Sequence, residues 1–329
     1  MNNQKPKIVV VTPIKNEYWI LDRFLSVTSQ FADLIIVADQ NSIDGSKNIC
    51  QKYSKVKLIE NEANQYDESS RQLLLLRTAR ELVPEHKIIL ALDADEILAA
   101  NAIHTLGWQT MLNAKPGTVL CFEKPDLYLT LDQCVRYSQP WPLGYVDDGV
   151  EHNPKKLHSI RIPVPDSAPQ LHIHDVKVLH YAILRLTAQS SKWRMYSVID
   201  NVYKTNPIFR RRKSYCAFKD WTKGGNLQKS SQEWFDGWES IGIDMKTIIN
   251  YKYYWQDTEV LKYFQKYGVI KFWVDDIWYF NWEACRLYMK KQGIEDIPEF
   301  PIQKPPLLLT LMLRFLDKIY GQLSKIINL

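Results

Sequence analysis

The chain of 329 residues has no apolar run of membrane-spanning length, no Cys-x-x-Cys pair and no strong excess of either charge. Each gap excludes something. A transmembrane helix needs about 20 consecutive apolar residues, and none is expected here. The start, from Met1 to Lys7, runs straight into a β-branched stretch, so no secretory hydrophobic segment is expected either. Five cysteines (Cys50, Cys121, Cys134, Cys216, Cys285) lie far apart. They read as reduced thiols of an intracellular protein, not as a disulfide or zinc framework. A net charge of +5 is too weak to argue for nucleic acid, although it suits phosphorylated substrates or an anionic membrane surface. Walker loop, GxGxxG, HExxH and nucleophile-elbow patterns are also missing.

What the chain does have is enough apolar residues, 46%, for a substantial core in one large domain or two smaller ones. Its first hundred residues alternate strand and helix signals. Strands are expected from Ile8 to Thr12, Leu34 to Asp39, Val56 to Glu60 and Lys87 to Leu92. Helices are expected from Tyr18 to about Gln30, from the Asn41–Gly45 turn to about Tyr53, with Asp44 as a cap, and from Glu68 to Val83, closed by Pro84. This alternation means parallel βαβ units. A helix from about Ala99 to Asn113 and a strand from Thr118 to Lys124 follow. Residues 140–169, rich in Pro, Asp and His, read as loops and short edge strands, and Val176–Tyr181 as a further strand.

The chemistry concentrates where the fourth strand stops, at Asp93-Ala-Asp95-Glu96. A buried strand ending in acids delivers them to the carboxyl edge of the sheet, where ligands of open α/β sheets bind. Two carboxylates this close repel unless a positive group lies between them. A hard divalent cation completed by phosphate oxygens supplies it. The expectation is a metal–diphosphate site.

Three ordered segments, Val10-Val-Thr12-Pro13-Ile-Lys-Asn16-Glu17, Ile36-Val-Ala-Asp39 and Leu92-Asp93-Ala-Asp95-Glu96, resemble the signatures of glycosyltransferase family 2. The resemblance implies an α/β GT-A (Rossmann-like) fold, a mixed sheet with flanking helices, over residues 1–185. It implies that Thr12, Pro13, Asn16 and Glu17 cradle the nucleotide of a UDP- or GDP-type sugar donor. Asp39 would hydrogen-bond the base, Arg71 would reach the nucleotide, and Asp93 would touch ribose and metal. Asp95 would bind Mn²⁺ or Mg²⁺ directly, and His180 would join the metal or diphosphate. Glu96 reads as a second-layer acid or, preferably, as a cap for the next helix. His172 and His174, on one face of a strand, read as acceptor-site, metal or plain surface histidines. The acceptor, a glycan or glycolipid, needs a general base. Asp147, Asp148, Glu151 and Asp175 are candidates, with Asp148 and Asp175 preferred. No Gln-x-x-Arg-Trp motif is present, which favours transfer of a single sugar over processive synthesis. The resemblance also points to a cytoplasmic protein working at the inner membrane face. A sugar-phosphate nucleotidyltransferase and a non-catalytic binding module are the alternatives; the turn from Thr12 to Glu17 lacks the Gly-rich loop of the former.

Residues 186–329 match no named family and read as a mainly helical extension rich in aromatics. Its Tyr251–Trp255 and Phe272–Trp282 clusters are expected to be packing seams. Arg210-Arg-Arg-Lys213 and Lys192 with Arg194 are either phosphate contacts or ordinary helix charges. From Leu307 to Leu329 an amphipathic helix sets Thr310, Arg314, Asp317, Lys318, Gln322 and Lys325 against Leu309, Met312, Leu313, Leu316, Ile319, Leu323, Ile326 and Ile327. It would pack on its own chain, lie on a membrane surface or pair with a second copy. Oligomeric state is not fixed by these patterns.

Overall fold

The computed structural model describes residues 5–61, 67–155, 158–216, 220 and 222–326. The chain divides into two compact units, Met1–Leu184 with Thr222–Ile249, and Arg185–Trp221 with Asn250–Leu329. The boundary expected at 185/186 is therefore crossed again, because residues 222–249 return to the first unit.

The first unit is built on one mixed sheet. Strands β1 (Lys7–Ile14), β2 (Leu34–Asp39), β3 (Val56–Glu60) and β4 (Lys87–Ala91) run parallel in the order β3-β2-β1-β4. Their near-continuous Val, Ile and Leu content suits strands covered on both faces, and β4 is buried at all five positions. Helices α1 (Tyr18–Thr28), α2 (Ser46–Cys50) and α3 (Glu68–Leu82) make the crossovers. The carboxylate of Asp67 caps α3, accepting from the amides of Ser69 (2.9 Å) and Ser70 (3.2 Å). Pro84 lies just past its end, as expected for a residue that cannot continue a helix.

Beyond β4 two expectations change. Glu96–Leu98 forms a short strand, β5, not the start of a helix. All three residues are buried, and β5 pairs antiparallel with the end of β10 (Gln170–His180). The following helix, α4 (Leu106–Leu112), starts only after Thr105, whose hydroxyl caps it. The second change is β9 (Trp141–Val146), which is no edge strand. It lies in mid-sheet, antiparallel to both β4 and β6 (Val119–Glu123). Pro142 is tolerated there because the register shifts at that point, between Leu120 and Cys121. Gly144 is required by close approach, since a Cβ would come within 2.7 Å of a Leu90 methyl and 3.1 Å of one on Leu120.

Beyond β6, β10 runs parallel to it, with a bulge between Ile173 and Lys177. Short strands β7 (Asp126–Leu127), β8 (Gln133–Arg136) and β11 (Asn226–Lys229) finish the sheet. The 222–249 segment also carries α7 (Asp236–Ser240). Trp234, Phe235, Trp238 and Met245 join the main core, and the Trp238 indole donates to the Leu98 carbonyl at 2.7 Å. As a result β1, β2, β4, β6 and β10 all end at one edge.

The second unit is helical: α5 (Leu186–Tyr203), α6 (Ile208–Ser214), α8 (Trp255–Tyr267), α9 (Trp282–Lys291) and α10 (Leu307–Ile326). Part of the two aromatic clusters packs as expected, although Tyr251 and Tyr279 are about 40% exposed. Phe264, Phe272 and Trp282 are fully buried, and Trp278 stacks on Phe264 with ring centroids 5.7 Å apart. Arg194 is buried against Asp257 (2.7 Å) with its guanidinium 3.8 Å from the Phe280 centroid. Arg211 and Arg212 are buried on Asp275 and Asp317. Of the six basic residues weighed as phosphate contacts, Arg194, Arg211 and Arg212 are thus buried structural ion-pair partners. Among the described residues no helix is long and apolar enough to cross a membrane. Residues 327–329, including Ile327 of the expected apolar face, lie outside the described residues.

Candidate active site

At the common carboxyl edge, the turn after β1 is stapled to the turn after β2. Asn16, in left-handed conformation (φ 58°), donates its amide to the Ser42 hydroxyl at 2.8 Å and accepts from the Ile43 amide at 2.8 Å. Glu17 donates its amide to the Ser46 hydroxyl (3.0 Å), and Tyr18 donates its amide to Asp44 (2.9 Å). The N-cap of α2 is Gly45, not Asp44; Asp44 braces the turn by accepting from the Ser46 amide (3.0 Å) and from Tyr18 at the start of α1. Thr12 is fully buried on β1, and its hydroxyl oxygen has no hydrogen-bond partner among the described residues. Pro13 follows it on the same strand, in register with Ala38. Asp39, also fully buried, accepts from the Ser42 amide at 3.1 Å, and Lys47 lies 3.3 Å away. Arg71 lies half-buried in the first turn of α3.

The acids after β4 occupy the centre of this edge. Leu92 continues the pairing to the Val11 carbonyl (3.1 Å), and Tyr181 fixes the backbone of Asp95 by donating to its carbonyl at 2.9 Å. Asp93 and Asp95 are half-buried, whereas Glu96 is 1% exposed. Glu96 is not a helix cap. Its carboxylate accepts from the Asp93 amide (2.9 Å), from both arms of Arg161 (2.8 and 2.9 Å) and from Lys124 (3.0 Å). Burial pushes the Glu96 carboxyl up, but the Arg161 and Lys124 charges outweigh it and hold it well below the ordinary carboxylate range. Arg161 also reaches Asp93 at 3.0 Å, so one guanidinium bridges two of the three acids.

Asp95 faces His180, whose Nε2 lies 3.7 Å from the carboxylate. The other ring nitrogen, Nδ1, is 2.6 Å from Asp126, which also accepts from the Tyr137 hydroxyl at 2.7 Å. Burial raises the Asp126 carboxyl, but His180, Lys124 and Tyr137 together hold it below its usual value. An ionised Asp126 can only accept, so Nδ1 carries the proton. In the neutral imidazole this leaves the Nε2 lone pair on the Asp95 side. A ligating histidine backed by a carboxylate on its second nitrogen is a recurrent metal-site arrangement.

The structure therefore sets Asp95 opposite His180, with Asp93 held by Arg161, at the edge where Thr12, Pro13, Asn16, Glu17 and Asp39 also lie. The two preferred bases are elsewhere. Because β9 runs antiparallel to β4, Asp148 lies at the amino edge of the sheet, near Lys87, whose carbonyl accepts from the Asp147 amide at 3.0 Å. At about 3.3 Å per residue that is roughly 20 Å from Asp93. There Asp148 accepts from the Tyr145 hydroxyl (2.7 Å) and the Val150 amide (3.0 Å). Asp147 is buried between Arg80 (2.8 Å) and Lys87 (3.2 Å). Asp175 sits in the β10 bulge and accepts from the Gly107 amide at 2.9 Å, capping α4. The contact is close enough that a Cβ on Gly107 would overlap the Asp175 carboxylate. Neither acid faces Asp93 or Asp95. His172 and His174 are exposed on the same strand, their ring centroids 6.2 Å apart.

Arg161, Lys124, Asp126 and Tyr137 were not singled out from the sequence. Asp126 was within reach of the same rule that found Asp95, since it follows strand β6 after Lys124 and Pro125. Arg161 carries no such signal. Among the described residues no three His, Cys, Asp or Glu side chains are gathered into a metal cage of their own. A cavity of about 600 Å³ in this unit lies elsewhere, between α1 and residues 241–249, and none of the acids after β4 lines it.

Residues 9–106 match the model of glycosyl transferase family 2. A search of curated proteins gives no match. Among solved structures, a 4-diphosphocytidyl-2C-methyl-D-erythritol synthase aligns at 20% identity and TM-score 0.29, over 36% of this chain and 61% of its own. The corresponding synthase from Anaerococcus prevotii aligns at 15% identity and TM-score 0.27, over 36% and 55%. Glucosyl-3-phosphoglycerate synthase from Mycobacterium tuberculosis, solved with Mn²⁺, UDP and glucosyl-3-phosphoglycerate, aligns at 17% identity and TM-score 0.26, over 36% and 44%. The chain thus spans less than two thirds of each of these structures. The mixed α/β sheet with flanking helices agrees with the fold expected from the three signatures. The match to the glycosyl transferase family 2 model is confined to residues 9–106 of the 329.

Proposed function

We propose that this chain is a metal-dependent glycosyltransferase that moves a single sugar from a UDP- or GDP-type donor to a glycan or glycolipid acceptor, with inversion. The observation carrying this reading is Asp95 facing a carboxylate-backed His180 at the edge where the nucleotide-side turns also end. The donor set suits Mn²⁺ or Mg²⁺. Such ions are held by one or two carboxylates while substrate phosphates and waters complete the shell, so no all-protein cage is needed. The Arg161 guanidinium shared by Asp93 and Glu96 supports the same demand for positive charge between these acids.

When bound, the metal would act as a Lewis acid, neutralising charge on the departing nucleoside diphosphate. Asp95 and His180 Nε2 would hold it, with Asp93 shared between it and the ribose. Asp126 keeps the Nδ1 proton in place, so that Nε2 presents its lone pair. Asn16 and Glu17 fix the turn that would border the nucleotide, and Asp39 would accept from the base. Deprotonation of the acceptor hydroxyl falls to a group other than Asp148 and Asp175, because both point away from this edge.

The test is thermal unfolding with a panel of nucleoside diphosphates, with and without Mn²⁺. At a hundredfold excess over the dissociation constant, binding stabilises by about 2.7 kcal/mol, or roughly 5–10 °C for a unit of this size. A shift that needs diphosphate and Mn²⁺ together is expected. Hydrolysis of a donor sugar then separates a transferase from an inert binding module. Pyrophosphate release from a nucleoside triphosphate and a sugar phosphate would instead establish the nucleotidyltransferase.

A further inference from the structure

Helix α10 has three faces. Leu313 is buried, and on its side Asp317 is held by Arg212 from α6 (2.6 and 2.8 Å), while Tyr320 stacks on Phe209 with ring centroids 5.7 Å apart. These contacts fix the helix on its own unit. A second face carries Leu308 (80% exposed), Leu311 (53%), Met312 (50%), Phe315 (64%) and Ile319 (37%). Their spacing of 3, 4, 7 and 11 from Leu308 makes one stripe at helical period. Packing on the chain therefore accounts for only part of the apolar surface seen in the sequence. The third face borders the stripe and presents exposed Arg314 and Lys318. Neighbouring α6 adds exposed Arg210 and Lys213.

An apolar stripe of this size left in water marks an interaction surface. Its basic border narrows the occupant. In an antiparallel symmetric pair of α10 helices the two basic edges would meet one another and repel, and in a parallel pair neither would meet an acidic partner. A bilayer carrying anionic lipids satisfies both faces at once. At about 1.5 Å per residue the helix is about 30 Å long, but Arg314, Asp317 and Lys318 at its middle prevent it from spanning.

We infer that α10 docks this chain on an anionic lipid surface, with Leu308, Leu311, Met312, Phe315 and Ile319 at the headgroup–acyl boundary and Arg314 and Lys318 on lipid phosphates. The inference is independent of the transfer reaction. The full chain is co-sedimented with vesicles of phosphatidylglycerol and, separately, of phosphatidylcholine. Binding at least tenfold tighter to phosphatidylglycerol, and weakened by salt, is expected. Leu311→Asp/Phe315→Asp should lower it more than tenfold, and Arg314→Glu/Lys318→Glu should remove the preference for anionic lipid. Both variants alter exposed positions only, and unchanged circular dichroism and nucleotide binding would show that they fold. A wild-type chain that ignores phosphatidylglycerol vesicles overturns the inference, as does a double aspartate variant that binds them undiminished. A dimer in solution that this variant dissolves, with no vesicle binding, assigns the stripe to a second copy instead. Nucleotide binding measured on the same samples keeps this result separate from that of the proposed transfer site.

Discussion

The two edges of the sheet carry similar acids and treat them differently. At the amino edge the Asp147 side chain is buried between Arg80 and Lys87, and exposed Asp148 accepts from the Tyr145 hydroxyl and the Val150 amide. The buried carboxylate there is answered by two cations of its own unit. At the carboxyl edge the Asp95 side chain is 18% exposed, with His180 Nε2 3.7 Å from its carboxylate and the Arg161 charge near enough to act on it. The buried acid of one edge is paired within the fold, while the other edge is the one for which a cation is proposed. Acids in a cluster are therefore told apart by what already answers their charge, not by their number.

That contrast can be broken by mutation. The largest effect on function is expected for Asp95→Asn, which should lower turnover by about a thousandfold or more, since it would remove the metal contact proposed for Asp95. Its unfolding temperature should stay close to wild type, because the side chain makes one long contact. The largest effect on stability is expected for Arg161→Met. It leaves buried Glu96 with Lys124 alone and should cost about 3–5 kcal/mol, read by denaturant unfolding. Asp126→Asn should weaken Mn²⁺ binding about 10–100-fold by releasing His180, with little change in stability, as read by calorimetric titration. At the other edge Asp147→Asn should destabilise by about 3 kcal/mol and leave metal-dependent nucleotide binding untouched. The smallest effect is expected for Asp175→Ala, about 1 kcal/mol for a lost helix cap and no loss of turnover. A large activity loss in either of the last two would erase the contrast between the edges.

Acid sharpens the same point. The folded-state value of Glu96 lies well below its ordinary 4.5, so the folded chain binds that proton more weakly than the unfolded chain. The stability it contributes is fully present above about pH 4.5 and is lost as pH falls toward the folded value. Arg161→Met should flatten this acid limb of the stability curve.

Strands β1 to β4 were legible because each is a β-branched or aliphatic run broken by turn residues, and the acids at Asp39 and Asp93–Glu96 mark where two of them stop. β9 was not, because Pro142 and Gly144 read as loop residues. Their tolerance depends on a register shift and on the closeness of Leu90 and Leu120, which only the assembled sheet contains. Asp148 was misread for the same reason, since its edge depends on the direction of β9. Asp175 looked like a base because a capping acid and a reacting acid are identical in sequence. His180 was found by its place at a strand end. Arg161 was not, because a lone arginine between Ile160 and Ile162 gives no hint of the two acids it bridges.

The most direct measurement is the electron paramagnetic resonance signal of Mn²⁺ titrated with the wild-type chain and with Asp95→Asn, in the presence of UDP or GDP. The account predicts that wild type removes the free-ion signal only when a nucleoside diphosphate is present, and that Asp95→Asn leaves it unchanged. Equal binding by the two proteins would contradict it, as would wild-type binding that neither nucleotide affects.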